Sequence, residues 1–180
     1  MNSEQRISAF ISLGDFLRKL SSNNEVDADF CKTLHCAVAK NAWFTQENTN
    51  FEIEALADFL QERNLAPLQD LHFPSKNIRI AVLFSDASPL NEFIDALCVL
   101  LSGSILVARL APNNAYIPTF FLEKLIAIEP AFKAQIEINN GILPNFDAII
   151  IKTTNPSLLQ YIKKYPHLIH KEKCSVAVLY

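Results

Sequence analysis

Glycine is scarce in this chain, with three residues in 180, well below the roughly 7% of an average protein. Loops that cradle phosphate by close backbone approach are normally built on glycine, and neither a G-x-G-x-x-G fingerprint nor a Walker loop is present. The G-x-S-x-G elbow of hydrolases and the H-E-x-x-H helix of zinc peptidases are missing too. An excess of positive charge is lacking as well: 16 Lys and Arg face 19 Asp and Glu, for a formal net charge of −3. This excludes the broad basic field that attracts nucleic acid, which is not an expected partner. The longest apolar stretch, Phe93 to Val107, contains Asp95, Ser102, Gly103 and Ser104 and is too short to span a bilayer. No transmembrane segment is expected. The polar start Met1 to Arg6, followed by Gly14, Asp15, Arg18 and Lys19, is not a secretory signal. A cytoplasmic protein is expected, with Cys31, Cys36, Cys98 and Cys174 reduced.

What the chain does have is apolar mass. Hydrophobic residues make up 50% of it, enough for one good core carrying an N-terminal extension. Ile7, Phe10, Ile11 and Leu17 recur at helical spacing between Ser3 and Leu20, and Asn2 with Gln5 has the form of a capping pair. A second helix is expected over Asp27 to Asn41, with Phe30, Leu34, Ala37 and Val38 on one face. A third begins near Thr49, where Thr49 and Glu52 have capping-box spacing and Phe51, Leu56, Phe59 and Leu60 follow. Beyond Pro74 the pattern changes to short β-branched runs alternating with helical stretches, which predicts βαβ units. The expected strands are Ile78 to Phe84, Ile105 to Leu110, Ala134 to Ile138, Asp147 to Ile151 and Ser175 to Leu179. The helices between them are Pro89 to Leu101, Pro118 to Ile128 and Ser157 to Lys164. Strands apolar almost throughout predict a sheet covered on both faces and mostly parallel. The fold class is therefore α/β: a Rossmann-like, mostly parallel sheet with flanking helices over residues 74–180, preceded by an N-terminal helical segment over 1–73.

An open parallel sheet binds ligands at the carboxyl ends of its strands, so the residues just after each strand carry the functional signal. After the first strand, Ser85-Asp86-Ala87-Ser88-Pro89 leads into a helix whose free N–H groups suit an anion; capping by Ser85, Asp86 or Ser88 explains the same residues. After the second, Arg109 has the fork geometry for a nucleotide 2′-phosphate, and a solvated surface charge is the alternative. After the fourth, Lys152, Thr153 and Thr154 offer a cation and two hydroxyls, or else a turn capped by Thr154 or Asn155. Lys163, Lys164, His167, His170, Lys171 and Lys173 form a basic cluster, read as a solvated loop, with the phosphates of CoA as the alternative partner. His167, His170 and Cys174, and separately Cys31 with His35, lack the paired ligand sets of zinc motifs, so no metal is expected.

Eight segments taken in order carry a resemblance. They are Glu4-Gln5-Arg6-Ile7, Asn41-Ala42-Trp43-Phe44-Thr45, Ile80-Ala81-Val82-Leu83, Ile105-Leu106-Val107, Glu129-Pro130-Ala131-Phe132-Lys133, Asn145-Phe146-Asp147-Ala148-Ile149-Ile150, Lys164-Tyr165-Pro166 and Cys174-Ser175-Val176-Ala177-Val178-Leu179. Together they resemble the N-terminal half of the acyl-CoA reductases related to the bioluminescence fatty acid reductase. The resemblance implies an aldehyde-dehydrogenase-like fold in which this half binds NADP(H) and a following domain supplies a cysteine nucleophile. That thiol takes the acyl group from CoA as a thioester, and hydride from the nicotinamide releases the aldehyde. Carried onto this sequence, the cofactor-binding residues are Ser88, Arg109, Lys152, Thr153 and Thr154, and no catalytic residue is assigned.

The family's Gly-Asn-Ile-Pro-like turn is Asp86-Ala87-Ser88-Pro89 here, its lysine after the second strand falls at Ala108, and its Thr-Gly-Ser turn is Lys152-Thr153-Thr154. The chain ends at Tyr180, where the family's catalytic domain follows, and none of the four cysteines aligns with the nucleophile. The expectation is an NADP(H)-binding reductase-like domain without catalysis of its own. The alternative is a non-enzymatic pseudoenzyme that pairs with itself or with a full-length acyl-CoA reductase.

Overall fold

The computed structural model describes residues 1–22, 27–69, 78–153 and 155–170. Among the described residues four α-helices precede the first strand: α1 (Ser3–Ser21), α2 (Ala28–Lys40), α3 (Gln46–Phe59) and the single turn α4 (Glu62–Leu65), which runs into a 3₁₀ turn, Ala66–Leu68. The Asn2/Gln5 pair opens α1 as a capping box, with Gln5 N–H donating to Asn2 Oδ1 at 2.8 Å and Asn2 N–H to Gln5 Oε1 at 2.9 Å. Asp27 caps α2 by accepting from the N–H groups of Asp29 and Phe30.

The third helix starts earlier than its sequence pattern predicts. Thr45 is the cap, through the Asn48 N–H, and Thr49 lies inside the helix, fully buried. The core stripe of α3 is consequently Thr49, Ile53, Leu56 and Ala57. Phe51, expected on that stripe, is 73% exposed, and Val38 of α2 is 38% exposed.

The sheet follows as β1 (Arg79–Leu83), β2 (Ile105–Arg109), β3 (Ile136–Asn139), β4 (Ala148–Lys152) and β5 (His167–His170). Its connecting helices are α5 (Phe93–Leu101), α6 (Tyr116–Ile128) and α7 (Pro156–Ile162). All four strand pairings are parallel and the spatial order is β3-β2-β1-β4-β5. The fold is thus α/β and Rossmann-like, with helices on both faces of a parallel sheet. A 3₁₀ turn, Pro130–Ala134, delays β3 to Ile136, two residues later than the apolar pattern suggests. Gly103 (φ +80°) ends α5 in the left-handed region, where only a residue without Cβ is unstrained, and lets the chain turn into β2.

Strand alternation sends side chains to two unequal cores. Val82, Leu106, Ala108 and Ile136 join one large cluster with residues of α1, α2, α3, α5 and α6. Ala81, Val107, Ile149 and Ile151 face a smaller one with Ile162 of α7. Aromatic rings bind the large cluster together. Phe30 of α2 lies 5.6 Å from Phe121 of α6, Phe93 of α5 lies 6.1 Å from Phe121, and Phe10 of α1 stacks on Phe132 at 5.7 Å.

The basic stretch expected as a loop is in part a strand. His167 to His170 form the edge strand β5, paired in register with Ile149 to Lys152. Three residues apart on a strand, the two histidines project to opposite faces, which separates them as metal ligands. Lys171, Lys173, Cys174 and the strand expected at Ser175 to Leu179 lie outside the described residues. Among the described residues no helix is long and apolar enough to cross a membrane.

Candidate functional site

In the strand order, β1 leads to β2 and β3 on one side, and β4 and β5 lie on the other. The direction of winding therefore reverses between β1 and β4, and an open parallel sheet has its ligand crevice outside the carboxyl ends of the strands at such a point. The structure brings four of the five sequence-predicted residues to that edge. Ser88 is in the loop between β1 and α5, Arg109 ends β2, Lys152 ends β4 and Thr153 follows it. Thr154 lies outside the described residues.

Each of these residues has local work in the fold. Arg109 Nε–H donates to the Gly141 carbonyl at 3.2 Å, which ties the end of β2 to the loop after β3. Thr153 Oγ1 accepts from Asn155 N–H at 3.1 Å. Asn155 in turn caps α7 through the N–H groups of Ser157 and Leu158, so the capping explanation for this turn holds at Asn155. Lys152 is in register with His170 of β5, whose Nε2 is 3.1 Å from Asp95 Oδ1 on the first turn of α5.

The loop from Phe84 to Glu92 is clamped by side chains from elsewhere in the chain. Asn41, after α2, donates from Nδ2 to the Asp86 carbonyl at 2.9 Å. Asn114, after β2, donates from Nδ2 to the Ser85 and Ser88 carbonyls, both at 2.7 Å. Glu52 of α3 accepts from Ser88 Oγ–H, at 2.7 Å to either carboxylate oxygen, and from Leu90 N–H at 2.8 Å. Asn91 N–H donates to Ser88 Oγ at 3.1 Å. Glu52 thus does not close a capping box with Thr49; it reaches across to the loop.

Glu92 is the second residue that sequence reasoning missed. It stands just before α5, is 2% exposed, and accepts from Ser85 Oγ–H at 2.8 Å through Oε1. Its Oε2 and the buried Asn114 Oδ1 have no hydrogen-bond partner. Burial pushes the Glu92 carboxyl above the ordinary carboxylate value, opposed by the Ser85 hydrogen bonds and by the charge of Lys152. A folded-state value above the unfolded one means that this group's contribution to stability is complete below the ordinary carboxylate value. It is lost as the pH rises through the folded value.

Glu92→Gln keeps an acceptor for Ser85 and cannot ionise. The variant is expected to match the wild type in acid, below the ordinary carboxylate value, and to become the more stable of the two as the pH rises through the folded-state value. Urea unfolding at a pH in each range measures this. An equal difference at both would contradict a buried, titrating Glu92. The sequence signal for the residue is an acid immediately before the apolar stretch that begins at Phe93.

Cys98, one turn beyond Asp95, is exposed, as are Cys31 and Cys36 on α2. Partial desolvation by its neighbours and then the charge of Asp95 push the Cys98 thiol up, the opposite of what a nucleophile needs. Among the described residues no group of three or more His, Cys, Asp or Glu is placed to hold a metal ion.

Among solved structures, the chain is similar to the γ-glutamyl phosphate reductase of Thermotoga maritima, with a TM-score of 0.58 and 10% sequence identity. The match covers 93% of this chain and 48% of that one, so the chain spans about half the length of the enzyme it matches. At that identity the likeness is one of fold alone: the chain is folded like about half of that enzyme. No protein-family model matches the sequence, and no curated protein matches it.

Proposed function

We propose that this chain is an acyl-CoA reductase-like domain that binds NADP(H) in the crevice between the carboxyl ends of β1 and β4, and does not itself supply the reductase nucleophile. The observation that carries the reading is the reversal of strand order between β1 and β4, with Lys152 and Thr153 on one side and Arg109 two strands away on the other. The likeness in fold to a reductase supports it. In this reading the Arg109 guanidinium pairs with the 2′-phosphate, Lys152 faces phosphate charge, and Thr153 donates its hydroxyl hydrogen. Covalent acyl transfer needs an activated thiolate, and the raised Cys98 thiol does not suit that step.

Calorimetric titration with NADPH and NADH tests the reading. The expected result is weak, saturable binding that prefers NADPH by about tenfold or more, with the preference lost in Arg109→Ala. Equal affinity for the two nucleotides takes Arg109 out of the site. No saturation by either, in this protein or in the variants described below, rejects nucleotide binding.

A second reading, a non-enzymatic paralogue acting by association with itself or with a full-length acyl-CoA reductase, draws on Trp43 and Phe51. These are 78% and 73% exposed, respectively, on the α2–α3 connection and α3. Sedimentation as a strict monomer, together with failure to bind an added acyl-CoA reductase, removes it.

A further inference from the structure

We infer that Glu52 is an internal anion that closes the phosphate position of the crevice, so that a ligand phosphate and the Glu52 carboxylate compete for one set of donors. The inference rests on the nucleotide reading above and adds to it a mechanism of regulation. The loop before α5 offers the donors that an oxyanion takes at such a place, a backbone N–H at Leu90 and a hydroxyl at Ser88. Both are already spent on a carboxylate that arrives from a helix 36 residues earlier in the chain. The distances of 2.7 and 2.8 Å are those of charge-assisted hydrogen bonds.

Among the described residues no lysine, arginine or histidine forms an ion pair with Glu52. The loop donors are therefore what compensate its charge. A phosphate brought to the same donors meets a like charge at contact distance, and the two do not share the position.

A cavity of about 400 Å³ adjoins the contact, with Leu56, Leu90 and Ile94 on its walls and Glu52 as its one charged lining residue. It lies between α3 and the start of α5 and gives the side chain space to withdraw into. Glu52 is also the tie between α3 and the loop, so displacing it couples occupancy of the crevice to the packing of the N-terminal helices. By linkage, a partner that draws α3 away raises affinity for the nucleotide by the factor by which the nucleotide raises affinity for that partner.

The test uses the full chain as wild type, Glu52→Gln and Glu52→Ala, titrated with NADPH and separately with inorganic pyrophosphate. Glu52→Gln keeps an acceptor for Leu90 and removes the charge, so it carries the test if Glu52→Ala does not fold. The expected result is NADPH binding at least about tenfold tighter in Glu52→Gln than in the wild type, a change of about 1.4 kcal/mol. Pyrophosphate is expected to compete with NADPH in that variant. Equal or weaker NADPH binding in a folded Glu52→Gln overturns the inference while leaving the nucleotide reading in place. Tighter binding without competition by pyrophosphate moves the effect away from the phosphate position and overturns it too. Absence of NADPH binding in all three proteins overturns both.

Discussion

Replacing Phe121 by alanine is expected to destabilise the protein by about 3–5 kcal/mol, a large fraction of the stability of a domain this size. Phe121 is fully buried on α6. Its ring lies 5.6 Å from Phe30 of α2, 6.1 Å from Phe93 of α5 and 5.4 Å from Phe120. Truncation removes the transfer free energy of the ring and leaves a void that three different helices line. Neither α2 nor α5 is free to collapse into it: Phe30 also packs on Phe120, and α5 packs on β1 and β2 and contributes Leu97 and Leu100 to the core they share. Chemical denaturation followed by circular dichroism measures the loss. A change below about 1 kcal/mol would mean that the aromatic layer does not join the helices to the sheet as described.

Gly14→Ala gives a prediction whose sign is informative. Glycine inside a helix is less favourable than alanine by about 0.8–1.0 kcal/mol, so helix propensity alone predicts stabilisation. Gly14 sits where α1 crosses the end of α3, and a Cβ there would stand 2.8 Å from Leu60 Cβ and 3.0 Å from the Leu60 carbonyl oxygen. The nearest obstacles are backbone and the stem of a fully buried leucine, which cannot swing away. The clash outweighs the propensity gain, and a net loss of about 1–3 kcal/mol is expected from the urea midpoint. A stabilised variant would contradict the close α1–α3 crossing.

The parts of the fold legible in the sequence are those set by local chemistry. The Asn2/Gln5 box, the β-branched runs of β1, β2 and β4 and the helices between them are specified by neighbours within a few residues. What was misread depends on distant partners. Thr49 and Glu52 have capping-box spacing, yet Thr45 caps α3, and the packing of α3 on α1 buries Thr49 and leaves Phe51 facing out. Glu52 is then directed at a loop that no local pattern connects with it. His167 to His170, flanked by lysines, reads as part of a basic loop, yet it holds Leu168 and the strand-favouring Ile169 and becomes a strand by pairing with β4.

The candidate site divides in the same way. The rule that ligands meet parallel strands at their carboxyl ends points to Ser88, Arg109, Lys152 and Thr153, and the structure places them at or just after the ends of β1, β2 and β4. The rule carries no information on what already occupies those positions. Ser88, marked for a ligand, is held by Glu52, and Ser85, marked as a cap, serves the buried Glu92. Two carboxylates beside the β1 loop were invisible until α3 and α5 were packed against the sheet. Such carboxylates bear most directly on phosphate binding, because each adds negative charge where the ligand would bring more.

We propose the carboxyl edge of the sheet, at the β1/β4 reversal, as the place where a nucleotide binds. Amide chemical-shift mapping of the isotope-labelled chain against NADPH tests it most directly, because it detects weak binding and locates it in one experiment. Saturable shifts are expected only in the loop after β1, at the end of β2 near Arg109 and in the turn after β4 at Lys152 and Thr153, enlarged in Glu52→Gln. Saturable shifts at the opposite, amino ends of the strands, or no saturable shift in either protein, would contradict the proposal.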